Sequence, residues 1–473
     1  MAHAAGPLLA GLAVGVLAGC GDNIYDPFVA LVRVSGDTPF AEGCGGDAFQ
    51  GKPFTSVEVE PSLAIDPTDP LHFVGAWQQD RWTTGGANGI GTAATFDGGA
   101  TWQTRVPRLG RCSGGDDAYT RGTDPWVTMA ADGTVYLFAL IFDGESALNA
   151  MVSSRSNDGG LTWGAPSTLQ VDNNTDIFND KNSITADPVD PGRVYAVWDR
   201  LAGLDHPTDP TTSGPTWFAR TTDGVWETAR AIYDPGLDSQ TIANYIAVLP
   251  DGTLLDLFDL IEHTSSNSPT HTAAVVRSTD KGQTWSDAIR IAPMAARGVS
   301  DPYNQVFIRS GANLPQIAVD RASGAAYVVW QDYIAGAGVD GARIASSRDG
   351  GLTWSAPRPV NGAPAVAAFT PNVAVASDGT VGVMYYDLRN VRPADADAFR
   401  VTPWLATSHD GGVIWDDEQL SEPFDLRPAL LVSSYFLGDY QALAAAGDVF
   451  VPFFVGANAD SDDKTDVFVR KLR

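Results

Sequence analysis

The chain has 473 residues, with 30 Lys plus Arg against 57 Asp plus Glu and a formal net charge of −27. That field repels nucleic acid and anionic headgroups, and it leaves capture of an anion to a local basic patch. A composition of 49 Gly and 13 Trp with 18% charged residues reads as an all-β globular chain and excludes a disordered one.

Residues 8–18 are almost entirely apolar, of the length of a signal-peptide core and too short to span a bilayer. They run into Leu17-Ala18-Gly19-Cys20, which resembles the lipobox of bacterial lipoproteins. The resemblance implies cleavage before Cys20 and its lipidation. Residues 1–19 are then a leader, 20–27 a lipidated tether, and 28–473 a single domain exported to the cell envelope. The start of the chain departs from the pattern, since His3 stands where Lys or Arg is usual. An ordinary signal peptide cleaved elsewhere is the alternative. No later segment has the apolar length of a transmembrane helix. Cys44 and Cys112 remain, and in an oxidising compartment they are expected to pair; two separate buried thiols are the alternative.

The stretch FVALVRVS at 28–35 reads as a lone strand. From residue 61 a longer pattern repeats. A run such as PSLAID (61–66), a turn, and a second apolar run such as HFVGAWQQD (72–80) recur at 125–143, 182–199, 244–259, 315–332 and 371–387. Each pair is followed by an octapeptide: TFDGGATW at 95, SNDGGLTW at 156, STDKGQTW at 278, SRDGGLTW at 347 and SHDGGVIW at 408. A shortened copy, TTDGVW, starts at 221. In this pattern the Asp carboxylate accepts backbone N–H groups and Gly supplies a positive φ. The Trp is expected to be a large apolar plug between neighbouring sheets. Asp97, Asp158, Asp223, Asp280, Asp349 and Asp410 therefore read as structural.

These octapeptides resemble the Asp-box, or BNR, repeat of sialidase-superfamily propellers. The resemblance spans nearly all of residues 28–473 and implies an all-β sialidase-like β-propeller of four-stranded blades. Six blades carry boxes. The tail YQALAAAGD, VFVPFFVGAN and DVFVRKL (440–472) supplies three further strands. Joining 28–35 to them gives seven blades and closes the ring; six blades with a decorated tail is the alternative.

The connections on the box face are short and repetitive, whereas those on the other face are long and irregular, for example 199–215, 295–313, 387–402 and 420–438. Binding is usually built on such loops, and sialidases keep their active site opposite the boxes. Two rings border this face. The starts of the innermost strands are expected at Glu60, Asp124, Asn182, Asn244, Gln316, Asn372 and Tyr440. The second strands end in Asp80, Asp143, Asp199, Asp259, Asp332 and Asp387. These Asp residues read as strand-end caps.

Sialidases as a family bind the sugar carboxylate with three Arg, and use a Tyr–Glu nucleophile pair and an Asp acid/base. A substitute set drawn from the strand-end positions would put Arg81, Arg200 and Arg389 at the substrate and Tyr440, Glu60 and Asp124 at the chemistry. The Arg residues pairing with their neighbouring Asp is the other reading. The family's Arg-Ile-Pro motif is missing; RIAP at 290–293 falls on an outer strand. Three functions stay open: a glycoside hydrolase of the sialidase kind acting on extracellular glycans, a non-catalytic surface propeller binding glycan or protein, and an envelope scaffold. A monomer without an organic cofactor is expected, with no nucleic-acid partner and membrane contact only through the lipid. The loop NADSDDKTD (458–466) offers Asp460, Asp462 and Asp466 as oxygen ligands for calcium; a solvated acidic loop is the alternative.

Overall fold

The computed structural model describes residues 31–46, 51–203, 212–263, 269–392, 398–458 and 463–472. The leader, Cys20, Asp460 and Asp462 lie outside the described residues. Among those described, all regular elements are strands apart from two short 3-10 turns.

The strands form four-stranded antiparallel modules in chain order. The first is Glu58–Ile65, Phe73–Arg81, Ala87–Thr95 and Gln103–Arg105. The second is Arg121–Met129, Val135–Phe142, Leu148–Ser156 and Ser167–Asn173. The third starts at Ile177–Ala186, the fourth at Ser239–Val248, the fifth at Gln316–Val319 and the sixth at Ala368–Val375. The last is Ala442–Ala446, Val449–Ala457 and Thr465–Arg470, with Leu31–Arg33 paired to its outer side as Leu31↔Arg470 and Val32↔Val469. Innermost strands contact each other in succession, and Ala442–Ala446 packs against both Ala368–Val375 and Glu58–Ile65. This radial stacking of sheets about an axis is a β-propeller.

Second strands are covered on both faces by neighbouring modules, so they carry apolar runs where a half-buried strand would alternate. VYLFALIF at 135–142 is buried up to its last residue. Innermost strands are stitched by side chains. Val127 N–H donates to Ser62 Oγ at 3.0 Å, Ala186 N–H to Thr128 Oγ1 at 2.9 Å, and Ser183 Oγ–H to the Asn244 carbonyl at 2.7 Å.

The octapeptide turns hold as expected from their residues. Asp97 accepts from Thr101 N–H at 2.9 Å and Thr101 Oγ1 at 2.6 Å; Asp280 and Asp349 repeat this with Thr284 and Thr353. Asp158 is held the same way by Thr162, and Asp410 accepts from Val413 and Ile414 N–H. These bonds, led by the threonine hydroxyl, pull Asp97, Asp280 and Asp349 down to about 2. Their support is present above the ordinary carboxylate range and is lost as pH falls through about 2. Asp223 differs. The shortened copy folds as a two-residue hairpin, with Thr222 opposite Val225 and positive φ at both Asp223 and Gly224.

The octapeptide tryptophans are half-buried, not fully buried plugs. Trp163 packs on the preceding module and donates Nε1–H to Thr92 Oγ1 at 3.0 Å; Trp354 packs similarly between the fourth and fifth modules. They sit at the rim, where the sheets splay. The fully buried tryptophans are Trp77, Trp198 and Trp330, on second strands.

Cys44 and Cys112 form a disulfide with Cα atoms 5.1 Å apart. It ties the segment before the first module to the loop after it. Thiol reagents should label neither cysteine until reductant is added, and reduction should cost about 2–4 kcal/mol in a urea melt.

Candidate functional site

Five innermost strands carry a β-bulge at one equivalent point. The register shifts fall between Val59 and Ser62, Thr123 and Trp126, Asp180 and Ser183, Ile242 and Tyr245, and Phe369 and Asn372. The first residue of each bulge has positive φ: Glu60 56°, Asp124 47°, Lys181 41°, Ala243 64° and Thr370 48°. A non-glycine residue there is strained, and a bulge re-aims its side chain. The bulges thus turn Glu60, Asp124 and Lys181 toward one point on the axis, where Asp439, leading into Ala442–Ala446, joins them.

This corrects the expected ring. Asn182, Asn244 and Tyr440 stand one residue past the position of Glu60 and Asp124, where a slip of one reverses the direction of a strand side chain, and Gln316 and Asn372 stand two past it, beyond Pro315 and Pro371. Lys181 and Asp439 are the true counterparts. The signal was available: setting the residue before Pro61, Pro125, Pro315 and Pro371 in one column brings Glu60, Asp124, Lys181, Ala243, Leu314, Thr370 and Asp439 together.

Lys181 Nζ lies 2.9 Å from Asp124 Oδ1, 2.8 Å from Asp439 Oδ2 and 3.6 Å from Glu60 Oε1. Arg309 donates Nε–H to Asp439 Oδ1 at 2.9 Å and Nη2–H to Oδ2, a bidentate grip. Glu60 Oε2 accepts from Gln78 Nε2, which also donates to Thr123 Oγ1 at 2.8 Å. Glu60 is 1% and Asp124 2% exposed. Burial pushes Glu60 up to about 7 despite Lys181, with Asp124 and Asp439 adding to the rise. Burial, aided by Asp124, also lifts Asp180 to about 6. Burial acts against Asp439 as well, but Lys181 and Arg309 win and hold it well below the usual range. Burial lowers Lys181, yet Asp124, Asp439 and Glu60 outweigh it and keep the amine charged.

Arg309 comes from a small sheet over this point. Its strands are Val299–Ser300, Phe307–Arg309, Ser434–Phe436 and Leu430–Leu431, drawn from two of the long irregular connections. The Arg81 and Arg309 guanidinium groups both lie against Phe436, 5.1 and 4.6 Å from its ring centroid. The sheet explains the burial of the acids beneath it. Nothing in the residue pattern of 295–313 marks Arg309.

The three expected anion-binding arginines are not brought to one place. Arg81 is buried beside Phe436 and donates to Gln78 Oε1 at 2.9 Å. Arg200 binds Asp172 through Nε at 3.0 Å and Nη2 at 2.6 Å, and lies over Trp217. Arg389 binds Asp387 at 2.5 Å and Asp417 at 2.8 Å, over Trp404. Arg200 and Arg389 are thus tied to the outer strands of separate modules. Of the Asp residues ending second strands, Asp80 accepts from Ser56 N–H at 2.9 Å and Asp332 from Ala295 N–H at 2.9 Å as caps, whereas the buried Asp199 carboxylate accepts no hydrogen bond among the described residues.

Tyr440 also departs from expectation. Its hydroxyl donates to the Pro125 carbonyl at 3.3 Å, and its ring packs on Trp126, which meets Tyr245. Burial, with Glu60 and Asp124 nearby, pushes the phenol far up. Being one residue past Asp439, Tyr440 faces down the axis. Trp126 and Tyr245 border a cavity of about 280 Å³ on the box side, lined also by Ser62, Thr128 and Arg321.

No protein-family model and no curated protein matches this chain. Solved structures do. An α-L-arabinofuranosidase from Fusarium graminearum, Arb93A, is 12% identical with a TM-score of 0.46 over 75% of this chain and 92% of that one. The Hadza microbial sialidase Hz136 is 16% identical, TM-score 0.47, over 81% and 76%. A Penicillium chrysogenum α-L-arabinanase is 11% identical, TM-score 0.47, over 89% and 96%. These likenesses assign no residue here a role.

Proposed function

We propose that this chain is a glycan-hydrolysing Asp-box propeller of seven blades, closed by Leu31–Arg33, exported and held at the cell envelope by lipid on Cys20. The observation that carries the chemistry is Glu60, protonated to about 7, sharing Lys181 with Asp124 under the long-loop face. Glycoside cleavage needs one carboxyl group that keeps its proton near neutrality and a second carboxylate to assist attack. Glu60 fits the proton donor and Asp124 the base or nucleophile. Lys181 positions both, and Arg309 with Arg81 supplies the local positive patch. Arg200, Arg389 and Tyr440 have no part in this version of the site.

The test is a screen of the purified protein on fluorogenic glycosides, sialosides included. Turnover should fall as pH rises above about 7, where Glu60 loses its proton. Glu60→Gln should lower kcat about a hundredfold with little change in melting temperature. Turnover unaffected by Glu60→Gln would remove this site from the chemistry.

The near-complete burial of Glu60 and Asp124 favours a second reading, in which the cluster clamps the axis and the face binds glycan or protein without chemistry. Glycan-array binding without turnover on the same panel would select it.

A further inference from the structure

Apart from the axis, one group of three carboxylates is gathered among the described residues, at the seam between the first and last modules. Glu58 stands on the first strand of the first module and Asp466 on Thr465–Arg470, with Asp463 just before it. Oxygens of all three lie within 4.8 Å of one another. The seam is close-knit: Val57 bridges to Thr465, and Thr465 Oγ1 donates to the Glu58 carbonyl at 2.8 Å.

Glu58 is 0% and Asp466 1% exposed. Arg33 answers them with Nε 2.5 Å from Asp466 Oδ1 and Nη2 2.6 Å from Asp463 Oδ2. One guanidinium faces three carboxyl groups. The Ser35 hydroxyl proton goes to Asp466 Oδ1 at 2.7 Å. Glu58 Oε1 accepts from Gln79 Nε2, but Glu58 Oε2 and Asp463 Oδ1 have no hydrogen-bond donor among the described residues. A buried carboxylate oxygen without a donor is costly unless a cation meets it. The Asn458 amide also touches Asp466 Oδ2, and turned over it would present its own oxygen.

We propose that Glu58, Asp463 and Asp466 bind one calcium ion that clasps the first module to the last. The donors are all oxygen, which selects a hard cation, and oxygens about 2.3–2.6 Å from a shared centre span the separation seen. The expected acidic-loop site is thereby relocated: Asp466 stays a ligand, and Glu58 from the far end of the chain joins it.

The experiment treats the purified protein with EGTA and titrates calcium chloride by calorimetry in 0.15 M NaCl, with melting curves alongside. One saturable site per chain, a melting temperature raised by calcium and a weaker response to magnesium are expected. Glu58→Gln and Asp463→Asn should each weaken binding about tenfold or more. Asp463 is part-exposed, so its variant keeps the test open if Glu58→Gln fails to fold. The absence of saturable calcium binding, or binding left unchanged in Asp463→Asn, overturns the proposal.

Discussion

Replacing Lys181 with Met should cost about 3–5 kcal/mol of stability at pH 8. The amine contacts Asp124 and Asp439 at 2.9 and 2.8 Å with only 10% of its side chain exposed. Removing it leaves carboxylates in a low-dielectric site with Arg309 gripping only Asp439. The pH dependence separates this from simple loss of packing. Glu60, raised by burial to about 7, binds its proton more tightly folded than unfolded. Its contribution is therefore fully present below about 4.5 and is lost as pH rises through about 7. Wild-type stability should fall across that window. The Lys181→Met variant should fall more steeply and recover much of its loss at pH 5, as the acids take up protons. Urea melts at pH 5 and pH 8, followed by tryptophan fluorescence, measure both. A loss under about 0.5 kcal/mol with an unchanged pH slope would mean the cluster is solvated.

Trp330→Ala should destabilise by about 3–5 kcal/mol, whereas Trp354→Ala should cost about 1–2 kcal/mol. Both belong to the cluster joining the fourth and fifth modules, with Leu257, Val275 and Val328 among its members. Trp330 is fully buried on a second strand, so its removal opens a cavity that two sheets cannot close. Trp354 sits at the rim, where water refills the space and its Nε1 bonds only the Gly351 carbonyl at 3.2 Å. Thermal and urea melts of the two variants give the order. Equal losses, or a larger loss for Trp354, would place the main apolar plug back in the octapeptide.

Much of the architecture was legible because it is local and repeated. Asp97, Asp158, Asp280, Asp349 and Asp410 each close a turn with residues within four positions. The alternation from 61 to 66 and the apolar run from 72 to 80 define strands at short range. The pairing of the lone strand at 31–33 with the last of the three tail strands was one of two readings the pattern allowed. The site was legible only in part. Glu60 and Asp124 were found, but Lys181 was hidden by a one-residue slip, because a bulge adds a residue that simple alternation does not show. Arg309 was hidden altogether, since its place depends on two long loops pairing over the axis through Ile308 and Tyr435.

The sequence by itself determined the strands, the turns and the order of the modules, all set by periodicity, turn chemistry and composition. Tertiary structure alone decided which charges meet. It separated Arg81, Arg200 and Arg389, turned Tyr440 down the axis, and gathered Glu60, Asp124, Lys181 and Asp439 from four modules. The physical reason is range. Turns and strands follow from neighbours a few residues apart, whereas buried charges are matched across hundreds of residues, and that matching depends on bulges and loop pairings a linear pattern does not encode.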